Sequence, residues 1–306
     1  MLRRPNVIFS KGGFSALPPV LAAAVLRIPI IAHESDATPG IANRVTQRFA
    51  KILLTAFPQE KKERCSLYVG TPLRPEIGKA NGERAKSICA FSDNKKPIVF
   101  GFGGSQGAKI LNDMCIRVAE KLGRHANIVW ITGPKNYVSF SEEIAKRGTL
   151  GAIQKEGEKG SKRFRFPEGM RGHIGGEKEN AEKKTGEICF FPYVHQGIFD
   201  YIAAADVVVS RAGGAIFELA ALNKAMLLIP LASAAGNHQE KNARVFERHG
   251  AAKVLLEKEI NEETFFRSIM ELLENEEMRK EMQKNAKKMA RTDAAEKIAE
   301  IILKSF

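Results

Sequence analysis

The chain has few cysteines, and their spacing gives them no chemistry. Cys65, Cys89, Cys115 and Cys189 are the four in 306 residues, lying 24, 26 and 74 positions apart. Without a C-x-x-C pair, zinc and dithiol redox sites have little support, and disulfide frameworks belong to much smaller secreted chains. Long hydrophobic runs are also missing. The longest apolar stretch, Phe14 to Ala32, is broken by Pro18, Pro19, Arg27 and Pro29, whereas a membrane-spanning helix needs about 20 mostly apolar residues. Met1 to Pro5 leads into only four apolar or small residues, Val7 to Ser10, before Lys11, which is not a signal-peptide pattern. The expectation is a cytoplasmic protein whose contact with a membrane, if any, is peripheral. Aromatic residues are only 8%, and no RNP, KH or zinc-finger pattern occurs, so no nucleic-acid partner is expected.

What is present is ordinary for a globular protein: 44% hydrophobic and 27% charged residues. The length points to two domains, each able to bury a core without covalent staples. The net charge of +13 is uneven. Residues 1–96 hold 16 Lys and Arg against 7 Asp and Glu, net +9, and the other 210 residues hold the remaining +4. A basic first part suits an anionic partner such as phosphate or an anionic lipid surface; a merely soluble basic face reads equally well.

Apolar runs that suit strands alternate with helical stretches, which argues for α/β architecture with parallel sheets and crossover helices. Strands are expected at Asn6–Ser10, Ile28–Ala32, Lys51–Ala56 and Leu67–Val69. A polar stretch from Glu76 to Lys96 follows, with a new strand at Ile98–Phe102. The expected division is therefore 1–90 and 91–306. In the second part, further strands are expected at Ile128–Thr132, Glu187–Phe191, Val207–Ser210, Met226–Pro230 and Ala252–Leu255, with two or three closing helices. Residues 151–186 stand apart. They contain eight Gly, nine Lys and Arg and six Glu, too few apolar anchors to offset ordering entropy, and read as a mobile surface insertion.

Three glycine-bearing turns fall between a strand and a helix in the second part. Gly103-Gly104-Ser105-Gln106-Gly107 follows the first strand; glycines admit close backbone approach, and free N–H groups at a helix start attract anions. It is neither G-x-x-x-x-G-K-[ST] nor a clean G-x-G-x-x-G, and alone it reads as well as a tight turn. Ser210-Arg211-Ala212-Gly213-Gly214 precedes a helix carrying Glu218. That carboxylate suits a ribose diol, or simply complements the helix dipole. Gly236-Asn237-His238-Gln239 offers neutral groups suited to sugar hydroxyls. Three such loops at strand carboxyl ends form one crevice in an open parallel sheet. In the first part, His33, Glu34 and Asp36 offer acid/base groups, though a lone His-Glu pair in a loop is more often structural. Arg74 in Gly70-Thr71-Pro72-Leu73-Arg74 suits phosphate.

Taken in order, the segments S-K-G-G-F-S-A-L-P, H-E-S-D-A-T-P-G-I-A-N-R, G-T-P-L-R, F-G-G-S-Q-G-A-K-I-L-N, S-R-A-G-G-A-I-F-E and N-H-Q-E-K-N-A-R resemble the MurG family of peptidoglycan glycosyltransferases over nearly the whole chain apart from 151–186. The resemblance implies a GT-B fold, two Rossmann-like domains facing across a cleft, with the last helix crossing back onto the first. It implies inverting transfer of N-acetylglucosamine from UDP-GlcNAc to undecaprenyl-linked lipid I, giving lipid II, at the cytoplasmic face of the membrane, with an anionic lipid surface as partner and no cofactor or metal. By resemblance, Ser105, Gln106 and the following helix start meet the diphosphate. Val194 meets uracil through its backbone, Gly213, Gly214, Ala215, Ile216 and Phe217 line the donor, Glu218 holds the ribose and Gln239 the sugar. Arg74 reaches the donor from the opposite domain. His33, Glu34 and Asp36 match an acceptor-side loop, Asp36 being counted with the donor contacts and His33 and Glu34 standing as the catalytic candidates.

Three departures from the family pattern follow. The opening strand and G-G-T-G-G-H-type loop, whose His is a candidate base, have no counterpart before Asn6, so the first domain is expected to be truncated at its amino end. Asp36 stands where many members have Asn. The stretch from Arg211 to Glu218 is one residue shorter than usual. Alternatives are a glycolipid synthase with a diacylglycerol acceptor, an inactive sugar-nucleotide-binding fragment and, last, an NAD-dependent oxidoreductase. Against the last, Gly133, Pro134 and Lys135 follow Thr132 where a dinucleotide fold places an acidic residue.

Overall fold

A computed structural model describes residues 4–59, 65–104, 106–147, 154–157, 161–165, 187–194 and 196–305. Two sheets carry the chain. The first is built from β1 (Ile8–Ser10), α1 (Leu17–Val25), β2 (Ile30–Glu34), α2 (Ile41–Gln47), β3 (Ile52–Thr55) and β4 (Ser66–Tyr68). Its four strands are parallel, in the order β1-β2-β3-β4. Successive strand residues face opposite sides. Ile30 packs with Val20 and Ala23 of α1, whereas Ile31 packs with Leu54 and Val69 on the other face.

The second sheet follows α3 (Gly82–Cys89) and comprises β5 (Ile98–Phe102), α4 (Lys109–Gly123), β6 (Asn127–Ile131), α5 (Tyr137–Arg147), β7 (Gln154–Gly157), β8 (Ser161–Arg165), β9 (Glu187–Phe191), α6 (Ile198–Ala204), β10 (Val207–Ser210), α7 (Ala215–Ala221), β11 (Ala225–Leu228), α8 (His238–Arg248) and β12 (Lys253–Val254). Helices α9 (Glu262–Glu274), α10 (Glu276–Met289) and α11 (Ala294–Leu303) close the chain. The strand order is β12-β11-β10-β5-β6-β9-β8-β7. The chain leaves β5 toward β6 and β9, then returns to lay β10 on the other side of β5. The crevice where such an order reverses is where open parallel sheets bind ligands.

The two faces of this sheet bury separate cores. Phe100 and Val208 lie in one, with Phe199 and Phe246; Val99 and Val209 lie in the other, with Trp130 and Phe265. Gly101 is required mid-strand: it pairs with Trp130 of β6, and a Cβ there would lie 1.9 Å from the indole ring.

Among the described residues, apolar packing joins the two parts at several places. Ile298 of α11 packs with Ile31, Leu54 and Val69, so the last helix covers the open face of the first sheet. Phe57, following β3, is buried against Phe217 of α7 (ring centroids 4.9 Å apart) and Phe246 of α8 (6.2 Å). Helix α3 packs on α6 through Ala85 and Cys89. Division at residue 90 would leave α3 with the first sheet, yet its core contacts are with the second. The helix escapes sequence reading because its surface is polar and only those two residues are buried.

The insertion differs from expectation. Within 151–186, β7 and β8 form an antiparallel hairpin, and β8 pairs antiparallel with β9. Backbone pairing to what would otherwise be an open sheet edge supplies the order that apolar anchors do not. The rest of the insertion lies outside the described residues.

Candidate active site

A cavity of about 430 Å³ opens at the carboxyl ends of β5 and β10, where the strand order reverses. Phe102, Gly103, Gly104 and Gly107 line it from the turn after β5, and Lys109 from the first turn of α4. Gly104 has φ +87° and Gly107 φ +76°. Gly104 carries no clash for a Cβ, but at Gly107 one would sit 2.2 Å from the Thr132 carbonyl oxygen, so this turn needs both the left-handed backbone and the missing side chain. Ser105 lies outside the described residues. Gln106 is exposed and does not line the cavity.

The opposite lip is the turn after β10. Ser210, Arg211, Gly213, Gly214 and Ala215 line the cavity. Arg211 donates through Nη1 to the Ile229 carbonyl (3.0 Å) and pairs through Nη2 with Glu257 (2.6 Å), which fixes the turn from below. Ile216 and Phe217 are buried in the core instead. The missing residue of the Arg211–Glu218 stretch leaves Glu218 in the first turn of α7. Its carboxylate does not stand free: Arg74 Nε donates to Oε1 at 2.8 Å and Arg74 Nη2 to Oε2 at 3.0 Å, a bidentate pair across the cleft. The same guanidinium lies 4.4 Å over the Phe199 ring. Arg74 thus comes from the first part, as expected, but meets the carboxylate of the second. Gln239 lines the cavity from α8, its Oε1 accepting the Leu231 backbone N–H at 3.0 Å. Val194 follows β9, half-buried against the core and outside the cavity lining.

A second cavity, about 360 Å³, lies between the two parts. Lys11, Gly13 and Phe14 line it from the turn after β1, Glu34 from the end of β2, Ser35, Asp36 and Thr38 from the loop that follows, Asn43 and Arg44 from α2, and Gly236, His238 and Lys241 from the facing wall. Glu34 is buried, and burial raises its carboxyl above the usual range, opposed by the Asp36 N–H on Oε1 (2.9 Å) and the Asn43 amide on Oε2 (2.7 Å). His33 is fully buried and does not line the cavity. Its Nε2 lies 2.8 Å from the Gly70 carbonyl oxygen. A carbonyl only accepts, so Nε2 carries the proton, and Nδ1 faces the Ser35 hydroxyl at 3.4 Å. Burial holds the imidazole below its ordinary range. Asp36 lines the cavity and accepts a hydrogen bond from Asn242 of α8 at 2.9 Å.

Sequence reading passed over Lys109, Arg211, Asn43 and Asn242 as site residues. All four stand inside quoted motif strings, and Asn242 follows Gln239 by three positions, one helical turn.

The sequence matches the glycosyltransferase family 28 N-terminal domain over residues 3–55 and the corresponding C-terminal domain over 172–298. A UDP-N-acetylglucosamine–N-acetylmuramyl-(pentapeptide) pyrophosphoryl-undecaprenol N-acetylglucosamine transferase of Geobacillus kaustophilus is 35% identical over 304 residues, 98% of this chain and 72% of the relative. The enzyme of the same description from Clostridium perfringens is 33% identical over 308 residues, 99% of this chain and 73% of the relative. Among solved structures, Acinetobacter baumannii MurG superposes with a TM-score of 0.71 at 22% identity, covering 98% of this chain and 74% of that one, and a UDP-GlcNAc 2-epimerase of Neisseria meningitidis with 0.60 at 12%. The fold is GT-B, as the sequence resemblance implied. This chain belongs to the MurG family of glycosyltransferases.

Proposed function

We propose that the chain transfers N-acetylglucosamine from UDP-GlcNAc to lipid I, forming lipid II with inversion at the sugar C1. The observation that carries this reading is the juxtaposition of the two cavities: a glycine-built one at the strand-order reversal, and a polar one directly across the cleft.

The donor diphosphate lies over the Gly103–Gly107 turn, where α4, a 15-residue helix, presents its amino end and Lys109. Ser105 adds a hydroxyl. Gln239 and Gly213–Ala215 bound the sugar, Glu218 takes the ribose diol as Arg74 turns toward the phosphates, and the Val194 backbone takes uracil. The acceptor enters beside Glu34 and Asp36, with Lys11, Arg44 and Lys241 toward its diphosphate. Its hydroxyl attacks C1 and gives up its proton, the C1–oxygen bond to UDP breaks, and the charge left on the β-phosphate is met by backbone N–H groups. Of the two catalytic candidates, Glu34 faces the cleft and takes the proton; His33 supports the loop from beneath.

The first part sits on the membrane surface. Phe14, Leu21, Val25, Leu26 and Ile41 are exposed large apolar residues there, among exposed Lys11, Arg27, Arg44, Arg48 and Lys51. Such a mixture suits peripheral binding to anionic lipid, here at the cytoplasmic face. Among the described residues, no helix is long and apolar enough to cross a membrane.

The test is a transfer assay with labelled UDP-GlcNAc and either a lipid I analogue or diacylglycerol. Label is expected in the lipid I product alone; transfer to diacylglycerol, or to neither by a cooperatively folded chain, overturns the proposal.

A further inference from the structure

A third cavity, about 520 Å³, lies between α8 and the segment that follows β3. Its size falls in the range of about 300–1,000 Å³ usual for ligand sites. None of its lining residues borders the cavity at the glycine turns. Thr38 and Lys241, however, line both it and the second cavity, so those two share a wall. Phe57, buried, and Val245, half-buried, give it apolar surface, and Gln59 adds an exposed amide.

Its charge is mainly of one sign. Lys241, Arg244 and Arg248 line it from α8, and their spacings of three and four residues place them on one face of the helix. Among the described residues, Glu240 is the one carboxylate in the lining, and it accepts from Asn237 Nδ2 at 2.6 Å. Arg244 pairs with Glu247 at 2.6 Å and lies 3.9 Å from Glu240. Both are partly exposed contacts within one helix, which water screens, so the guanidinium can exchange them for a ligand carboxylate. A cavity with cations along one side, apolar surface and neutral hydrogen-bonding groups suits a short peptide that ends in a carboxylate.

The acceptor in the reaction proposed above supplies such a chain, since the relatives are described as acting on an N-acetylmuramyl-(pentapeptide) lipid. The lengths agree. Lys241, at the shared wall, and Arg248 are seven residues apart, about 10 Å along a helix. Five extended residues span up to about 17 Å, enough to leave the second cavity past Thr38 and Lys241 and end at Arg248.

We propose that this third cavity is the subsite for the acceptor's peptide, with Arg244 and Arg248 holding its terminal carboxylate. This rests on the transfer reaction proposed above and assigns these two side chains to acceptor affinity, not to the chemical step.

The test is a kinetic comparison of three lipid I analogues: one with the peptide and its free carboxylate, one with the same peptide amidated at its end, and one without the peptide. In the wild type, amidation should raise the acceptor KM about tenfold, the loss of a charge-assisted bond. Arg244→Gln with Arg248→Gln should raise KM for the free-carboxylate acceptor by a similar factor. It should leave KM for the peptide-free acceptor, KM for UDP-GlcNAc and kcat within about twofold. In that double variant amidation should no longer matter, a coupling that independent sites do not show. Equal wild-type KM for the carboxylate and amide forms overturns the proposal without any variant. A double variant that raises KM equally for the peptide-bearing and peptide-free acceptors assigns the cations to the diphosphate or the lipid surface, and also overturns it. Wild-type transfer to none of the three analogues overturns the functional reading itself, and the subsite with it.

Discussion

The two walls of the cleft are built from different materials. The donor wall is mostly backbone: Gly103, Gly104, Gly107, Gly213 and Gly214 line the cavity without side chains. The acceptor wall is mostly side chain: Glu34, Asn43 and Asp36 in one hydrogen-bonded set, with His33 buried beneath. The difference teaches how each is read and how each breaks. A backbone site depends on the residue that is absent and so shows itself as a glycine pattern. A side-chain network depends on partners brought from far along the chain, such as Asn242 against Asp36, 206 residues apart.

The comparison predicts its own extremes. The largest loss should come from the acceptor wall with the least change in shape. Glu34→Gln keeps size but removes the proposed base, and kcat should fall by about 10²–10⁴-fold. The base must be ionised, so activity should decline as pH falls through the folded-state value, and burial places that value above the ordinary Glu range of about 4.3. A pH–rate profile whose acid limb persists in Glu34→Gln would assign the proton to another group.

On the donor wall the damage should come through folding and affinity. Gly107→Val combines φ +76° with a Cβ 2.2 Å from a backbone oxygen, and should cost about 1–3 kcal/mol in urea unfolding together with much of the UDP affinity. Gly13→Ala, on the acceptor side, has φ +83° but open space for a Cβ, and should cost only about 1–2 kcal/mol from backbone strain.

The pair that bridges the walls should matter less to stability than its geometry suggests. Arg74 is 54% exposed, so solvent screens the bond and Arg74→Ala should change stability by under about 1 kcal/mol, while weakening UDP-GlcNAc binding in calorimetry. The smallest effect belongs to His33. Its folded-state pKa is lowered by burial, so its contribution is present above the unfolded value of about 6.5 and is lost as pH falls through the folded one. Urea midpoints of His33→Gln should be flatter than those of the wild type across that window.

Much of the second sheet was legible. The Val207–Ser210 and Glu187–Phe191 runs are short, apolar and bounded by turn residues, and both form strands over those residues. The glycine turns marked the cavity at the carboxyl ends of β5 and β10 for the same reason. Helix α3 was not legible, because a short polar helix that buries two residues carries little periodicity. Nor was the β7–β8 hairpin, because its order comes from pairing with β9 rather than from its composition. Phe217 was expected at the donor and instead packs between Phe57 and Phe246; position in a motif does not reveal which way a side chain faces. Arg74 and Glu218 were each assigned to the ligand, and only the fold shows that they meet.

The most direct test is calorimetric titration of the 306-residue chain with UDP-GlcNAc, with UDP-glucose as competitor. The two-wall site predicts one-to-one binding of UDP-GlcNAc that equimolar UDP-glucose does not displace. No binding by a chain that unfolds cooperatively, or equal affinity for both sugars, would contradict it.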